Sequence, residues 1–368
     1  MLSPRARGLT AWGVVVVAVV PALLAIVPPW TMLQVELAVL TKEASPLLLL
    51  LTLLAIPVAV FLATGRVRRI GVLVILEAAA LVEMWPLIAA HRAADFSYSL
   101  RYALLGDADP TPLTERRVSY AASDGTPLSL LIVRGPTPGR RATVVVLYGG
   151  AWRHGDATQA LDASRYFARR GYTVIALDYR HAPAHRYPAA IDDVRRGLSL
   201  VRDSSVAWGV DTARVAIIGR SAGGHLAMLA AFDPVPPLRI RAVAAFYAPY
   251  DLAKAYDDRP SPDPIDVRAV LRDLIGGTPT DAGPAYHAAS PSAYIRSGLP
   301  PTLLVYARHD HLVLPKFGRA AARDLRAAGD SVTYVELPWA EHGFDLLPNE
   351  IGSQIAIALL DGFLSKMH

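Results

Sequence analysis

The spacing of apolar residues changes character at about residue 91. Before it, residues 11–28, 46–64 and 70–90 are apolar on every side of a helix rather than along one stripe. An α-helix rises about 1.5 Å per residue, so runs of this length are long enough to cross about 30 Å of hydrocarbon. The second run carries no charge and is the firmest span. The third carries Glu77 and Glu83, and a carboxylate near the centre of a span costs about 2–3 kcal/mol on insertion scales. That run needs neighbouring helices or a proton to shelter it, which leaves two or three spans open.

From about Phe96 onward short apolar runs alternate with amphipathic segments. Residues 117–120 and 127–133 flank Asp124-Gly125, a hairpin signal that predicts two antiparallel strands. Strands are then predicted over 142–147, 172–177, 214–218, 240–247, 302–306 and 332–337. Helices are predicted over 158–169, 188–206, 222–231, 316–328 and 351–366. Strands alternating with helices imply a mostly parallel central sheet covered on both faces. Two regions follow: 1–91, a membrane region, and 92–368, an α/β domain. Residues 249–290, rich in Pro, Asp and Tyr, interrupt the strand pattern and read as a cap insertion, with 96–113 a second contributor to it.

Positive charge suggests an orientation. Arg5 and Arg7 precede the first run, Arg66, Arg68 and Arg69 separate the second from the third, and only Lys42 lies between the first and second. Basic loops stay on the cytoplasmic side, so three spans place the α/β domain outside the cytoplasm and two leave it inside; three is the reading preferred. Composition adds little to this. The 368 residues are 53% hydrophobic with net charge +5, and the arginines are scattered pairs rather than a stripe, which argues against nucleic acid. Absence of cysteine excludes disulfides, thiolate metal sites and a cysteine nucleophile.

The candidate chemistry centres on Gly219-Arg220-Ser221-Ala222-Gly223. An apolar strand breaks here on glycine, presents Ser221 and continues into a helix. A sharp strand-to-helix turn of this kind needs unbulky neighbours for the hydroxyl to stand clear. A serine nucleophile requires a base, and the base a third group to orient it. Asp310 follows one predicted strand and His342 the next, on the strand ends where an α/β sheet gathers its chemistry. Asp178 and Arg180 read as loop braces, His225 as a packed helix histidine, and Asp192 and Asp193 as solvated charges. His154, His181 and His185 read as loop residues near the mouth. His309 and His311 alternate around Asp310 and no further ligand cluster accompanies them, so no metal and no cofactor is expected.

The ordered motifs Gly149-Gly150-Ala151-Trp152, D-Y-R at 178–180, Y-P-A-A-I-D-D-V at 187–194, G-R-S-A-G-G-H-L-A at 219–227, H-D-H-L-V at 309–313 and E-H-G-F at 341–344 together resemble the esterase/lipase group of α/β hydrolases, including hormone-sensitive-lipase-like and feruloyl-esterase-like enzymes. The resemblance covers about three quarters of the chain and omits the membrane region. It implies an α/β hydrolase fold, Ser221 as nucleophile, His342 as base, Asp310 as its orienting carboxylate, and an oxyanion hole from the amides of Gly150, Ala151 and Ala222. It implies hydrolysis of a small-molecule or lipid carboxylic ester through an acyl-enzyme, and the apolar runs add that the enzyme is an integral membrane protein. A peptidase or amidase of the same fold and a non-catalytic membrane receptor or scaffold remain the alternatives. The chain departs from the family at Tyr148, where a histidine is usual, and at Ala151, where the family's final glycine is usual; geometry and activity of that loop turn on these two positions.

Overall fold

The computed structural model describes residues 3–94, 96–159 and 161–367. Ala160, inside the helix expected over 158–169, lies outside them. Helices α1 (Pro4–Ile26), α2 (Met32–Glu43), α3 (Ser45–Leu62), α4 (Arg66–Ala94) and α5 (Leu100–Leu105) come first. The domain that follows runs β1 (Thr114–Ala121), β2 (Pro127–Arg134), β3 (Arg141–Leu147), α6 (Leu161–Arg169), β4 (Thr173–Leu177), α7 (Ala189–Asp203), α8 (Ser205–Trp208), β5 (Val210–Arg220) and α9 (Ala222–Phe232). After β6 (Ala242–Phe246) come α10 (Leu252–Asp257), α11 (Val267–Ile275) and α12 (Gly283–Ala288), and the domain closes with β7 (Thr302–Ala307), α13 (Pro315–Ala327), β8 (Val332–Leu337) and α14 (Ile351–Leu364).

The strands form one sheet in the order β1-β2-β4-β3-β5-β6-β7-β8. β1 with β2 and β2 with β4 are antiparallel, and the remaining pairs are parallel. Continuous apolar strands bury both faces, because successive side chains point to opposite sides. Val145, Leu147, Ile217 and Leu304 enter the core on one face, and Val144, Val146, Ile218 and Val305 the core on the other. The expected α/β hydrolase architecture is borne out, with helices covering both faces.

Helices α1, α3 and α4 pack together through small side chains, Ala18, Ala59 and Ala79 among them, with Leu76 fully enclosed. Residues 6–26, 45–62 and 66–93 are each long and apolar enough to cross a membrane. α4 has 29 residues and so extends about 44 Å, more than hydrocarbon requires. The surplus enters the α/β domain, where Ala89 and Ala90 join the core beneath the sheet. Glu83 is buried, as is Thr52 of α3, while Glu77 faces outward. Arginines mark one end of the bundle: Arg7 donates to the carbonyl of Phe61 and Arg69 to that of Ala63, carbonyls left open where α3 ends.

The sequence pattern had not indicated α2. It opens with a reciprocal cap, Thr31 accepting from the Gln34 amide and Gln34 accepting from the Thr31 amide. Its far end docks on the α/β domain. There Glu43, fully buried, accepts from the Gly352 amide at 2.6 Å, one of the open donors in the first turn of α14. A side chain at position 352 would meet the Phe344 carbonyl and the Glu43 carboxyl within 2.4 Å, so this contact demands glycine. Burial pushes the Glu43 carboxyl well above its ordinary 4.5, although the Gly352 amide opposes the shift.

An acid whose folded pKa is raised costs no stability while both states hold the proton, and loses stability as pH climbs from the unfolded value toward the folded one. Glu43→Gln keeps the accepting oxygen and removes the titration. Its unfolding temperature should therefore exceed that of the parent at pH 8, with the difference shrinking toward pH 4.5, as read by thermal melts in detergent.

Candidate active site

The elbow at Ser221 is made by close backbone contact. Ser221 has φ 51° and ψ −120°, and its amide donates to the Phe246 carbonyl at 2.9 Å. A Cβ on Gly219 would lie 2.1 Å from the Gly223 carbonyl oxygen, and one on Gly223 would lie 2.2 Å from that of Tyr148. Only glycine lets β5 turn into α9 this tightly while α9 presses on the end of β3. A backbone held in so sparsely populated a region is the kind of strain that surrounding structure must enforce.

Ser221, His342 and Asp310, from the ends of β5, β8 and β7, meet in one line. Ser221 Oγ lies 3.0 Å from His342 Nε2, and His342 Nδ1 lies 2.8 Å from Asp310 Oδ2. Asp310 is buried, and its other oxygen accepts the Leu312 and Val313 amides at 2.8 and 2.7 Å. Burial raises the Asp310 carboxyl above its usual range against the opposing pull of His342 and these donors. With the proton of the ring held on Nδ1 by Asp310, Nε2 is free to take the hydroxyl proton.

The loop after β3 runs beside the elbow: a Cβ on Gly149 would stand 3.3 Å from Ser221 Cβ. Gly150 (φ 131°), Ala151 (φ 52°) and Trp152 (φ 57°) all turn through left-handed backbone. Gly150, Ala151 and Ser221 line a common cavity of about 220 Å³, and Ala222 follows Ser221 at the first position of α9, where amides have no intrahelical acceptor.

Tyr148, at the position of the usual histidine, is buried and tied to its neighbours by several bonds. Its hydroxyl donates to Asp178 Oδ1 at 2.6 Å and meets His181 Nε2 at 2.9 Å, and its ring stacks on Tyr179 at 4.3 Å. Tyr179 in turn donates to the Tyr148 carbonyl at 3.0 Å. On the other side, Trp152 Nε1 donates to His225 Nδ1 at 3.3 Å, so the His225 proton sits on Nε2, donated to the Ala289 carbonyl at 2.6 Å. Burial lowers His225 to about 4, and it stays neutral at physiological pH.

The cavity at Ser221 is lined in part by Ile265, Val267 and Leu271, from the segment between β6 and β7, and by His154. Segment 96–113 is not part of it; Tyr102, Leu105 and Asp107 line an adjoining polar cavity instead. Met32, from the start of α2, does line the Ser221 cavity. His181 and His185 lie outside that lining, His185 facing Asp124 at 3.6 Å.

Asp193 differs from its expected solvated state. It is buried and grips Arg180 at Nε and Nη2, at 2.8 and 2.9 Å, while Asp124 takes Nη1. Arg180 thereby braces the loop after β4. Two further groups escaped the motif reading. Arg220, inside the elbow, forms a buried ion pair with Asp345, which also accepts from the Tyr247 hydroxyl, and the Tyr247 ring packs on His342 at 4.5 Å. The adjacency of Asp345 to the E-H-G-F motif was the only available signal.

Comparison with known proteins places the chain in a family. Residues 135–325 match the BD-FAE family profile, just over half of the chain. The chain belongs to the BD-FAE family. Within the esterase/lipase group of α/β hydrolases it is similar to the esterase LipQ of Mycobacterium tuberculosis, 32% identical over 74% of this chain and 68% of LipQ. It is likewise 32% identical to the probable carboxylic ester hydrolase LipM of that organism, over 64% of this chain but only 58% of LipM. Among solved structures, the propionate-bound Est2 esterase of Thermogutta terrifontis matches with TM-score 0.58 and 26% identity, covering 68% of this chain and 94% of Est2. The Pyrobaculum calidifontis esterase matches with TM-score 0.61 and 25% identity, covering 70% and 87%. The α1–α4 region of this BD-FAE member lies before the matched residues.

Asp345→Ala should be severe, since it leaves the Arg220 guanidinium buried without its counter-ion. A loss of about 3–5 kcal/mol in unfolding free energy is expected, checked by denaturant titration.

Proposed function

We propose that this protein is a membrane-anchored serine hydrolase that cleaves carboxylic esters through an acyl-enzyme. The observation that carries the reading is the unbroken Ser221–His342–Asp310 line, 3.0 and 2.8 Å, at the floor of an apolar cavity. His342 takes the Ser221 proton as Oγ attacks the acyl carbon. The carbonyl electrons move onto oxygen, met by the amides of Gly150, Ala151 and Ala222, each such donor contributing about 3 kcal/mol to the transition state. The C–O bond to the alcohol then breaks, with His342 returning the proton to the leaving oxygen, and water resolves the acyl-enzyme by the same steps in reverse roles. LipQ and LipM are named as ester hydrolases, and Est2 is recorded with propionate bound and phosphonylated by sarin, which supports the same chemistry here.

A lipid-derived ester is the substrate class that fits the surroundings. Met32 of α2 lines the cavity only six residues after α1, the first candidate span, ends at Ile26. Leu33 and Leu40 of α2 and Trp30 just before it are exposed, apolar groups of the kind that settle at a bilayer interface. With three spans, the basic end near Arg7 and Arg69 faces the cytoplasm, and α2 and the hydrolase domain face outward.

Fluorophosphonate labelling should be strong in the parent and absent in Ser221→Ala, with p-nitrophenyl butyrate hydrolysis lowered by about 10⁴-fold or more. A folded parent that neither labels nor hydrolyses would end the esterase reading. Since the chain has no cysteine, Val235→Cys, at an exposed site, should react with a membrane-impermeant maleimide in intact cells; reaction only after lysis would reverse the orientation.

A further inference from the structure

Behind the Ser221–His342–Asp310 line lies a second buried group of charges that the hydrolytic steps do not use. Glu341, wholly enclosed, immediately precedes His342. Its Oε1 accepts the amides of His311 at 2.8 Å and His342 at 3.1 Å, and its Oε2 meets His311 Nδ1 at 2.8 Å. One carboxylate thus ties the loop carrying Asp310 to the loop carrying His342. The counter-cation comes from outside the hydrolase domain: Lys42 Nζ, in the last turn of α2, stands 3.6 Å from Glu341 Oε2 with its side chain 9% exposed.

The balance of charge there is narrow. Burial would raise the Glu341 carboxyl, but His311, Lys42 and the His342 amide together hold it below its ordinary value. Lys42 is itself lowered by burial, against the pull of Glu341, Glu43 and Asp310. The remaining groups facing the pair are His309, lowered by burial and by Lys42, and His311, which its hydrogen bond to Glu341 raises despite burial.

We propose that Lys42 is a positioning residue for the hydrolytic site: by keeping Glu341 ionised it holds the Asp310 and His342 loops in register, so that the active site is built jointly by α2 and the hydrolase domain. The inference rests on the esterase reading. A buried carboxylate that loses a nearby cation is more readily protonated. A protonated Glu341 has one fewer accepting site for the three donors that now fix the two loops. Catalysis depends steeply on placement, and a shift of about 1 Å can cost about 100-fold in rate. Met32, at the other end of α2, already lines the cavity, which makes the helix continuous with the site from both ends.

The test uses the full chain in detergent and p-nitrophenyl butyrate. Lys42→Met should lower kcat by about 10-fold or more with little change in KM, and should move the acid limb of kcat/KM upward by roughly half a pH unit. Lys42→Arg should restore both. Adding Lys42→Met to Glu341→Gln should cost nothing further, the non-additivity expected of two groups acting through one contact. Lys254→Met, at an exposed lysine paired with Asp251, should match the parent. A Lys42→Met protein with parental melting, kcat and pH profile overturns the proposal while hydrolysis by the parent upholds the esterase reading; a parent without hydrolysis removes both. If Lys42→Met melts early, Glu341→Gln decides: parental kcat and an unchanged acid limb in that variant overturn the proposal.

Discussion

Ser221 can stand clear of its backbone only because three segments of main chain approach one another more closely than any side chain permits. β5 ends at Arg220, just past Gly219, α9 begins at Ala222, just before Gly223, and the end of β3 presses against the turn between them. The positive φ of Ser221 is unfavourable in isolation, and packing on both faces of the sheet supplies the compensation. Everything else in the site is arranged around that fixed point. The Phe246 carbonyl holds the Ser221 amide, the glycine loop after β3 runs alongside, and the ends of β7 and β8 bring the carboxylate and imidazole to the hydroxyl.

The loops around the elbow are stiffened by buried polar bonds rather than by apolar packing alone. Tyr148, Asp178 and His181 hold one side of the loop after β3; Trp152, His225 and the Ala289 carbonyl hold the other. Arg220, Asp345 and Tyr247 connect the elbow to the segment after His342. Such networks are costly if any member is lost, because a buried polar group without a partner is penalised in full. The same rule explains how tyrosine can occupy the usual histidine position. At that position the Tyr148 hydroxyl is buried and reaches Asp178 and His181.

The joint between the N-terminal helices α1–α4 and the hydrolase domain is buried and combines polar with apolar contacts. Glu43 caps the first turn of α14 and Lys42 meets Glu341, while α4 carries Ala89 and Ala90 into the core under the sheet. A flexible tether would need none of these contacts. These contacts hold α2 against the hydrolase domain, with Met32 at the edge of the Ser221 cavity.

Much of this was legible in the residues themselves. Apolar runs of full helical circumference marked α1, α3 and α4, because only a span or a deep core tolerates them; continuous apolar strands and intervening amphipathic helices marked the parallel sheet. The order of Ser221, Asp310 and His342 after three strands of one sheet pointed to a single candidate site, since a parallel sheet delivers those ends to one edge. Local pattern could not reveal Asp193 as a buried partner of Arg180, nor the pairs Arg220–Asp345 and Lys42–Glu341, separated by 125 and 299 positions along the chain. An ionisable side chain looks the same in sequence whether it meets water or a counter-ion. Which of the two it meets is decided only when distant segments pack, and here that packing placed α2 against the loops that hold Asp310 and His342.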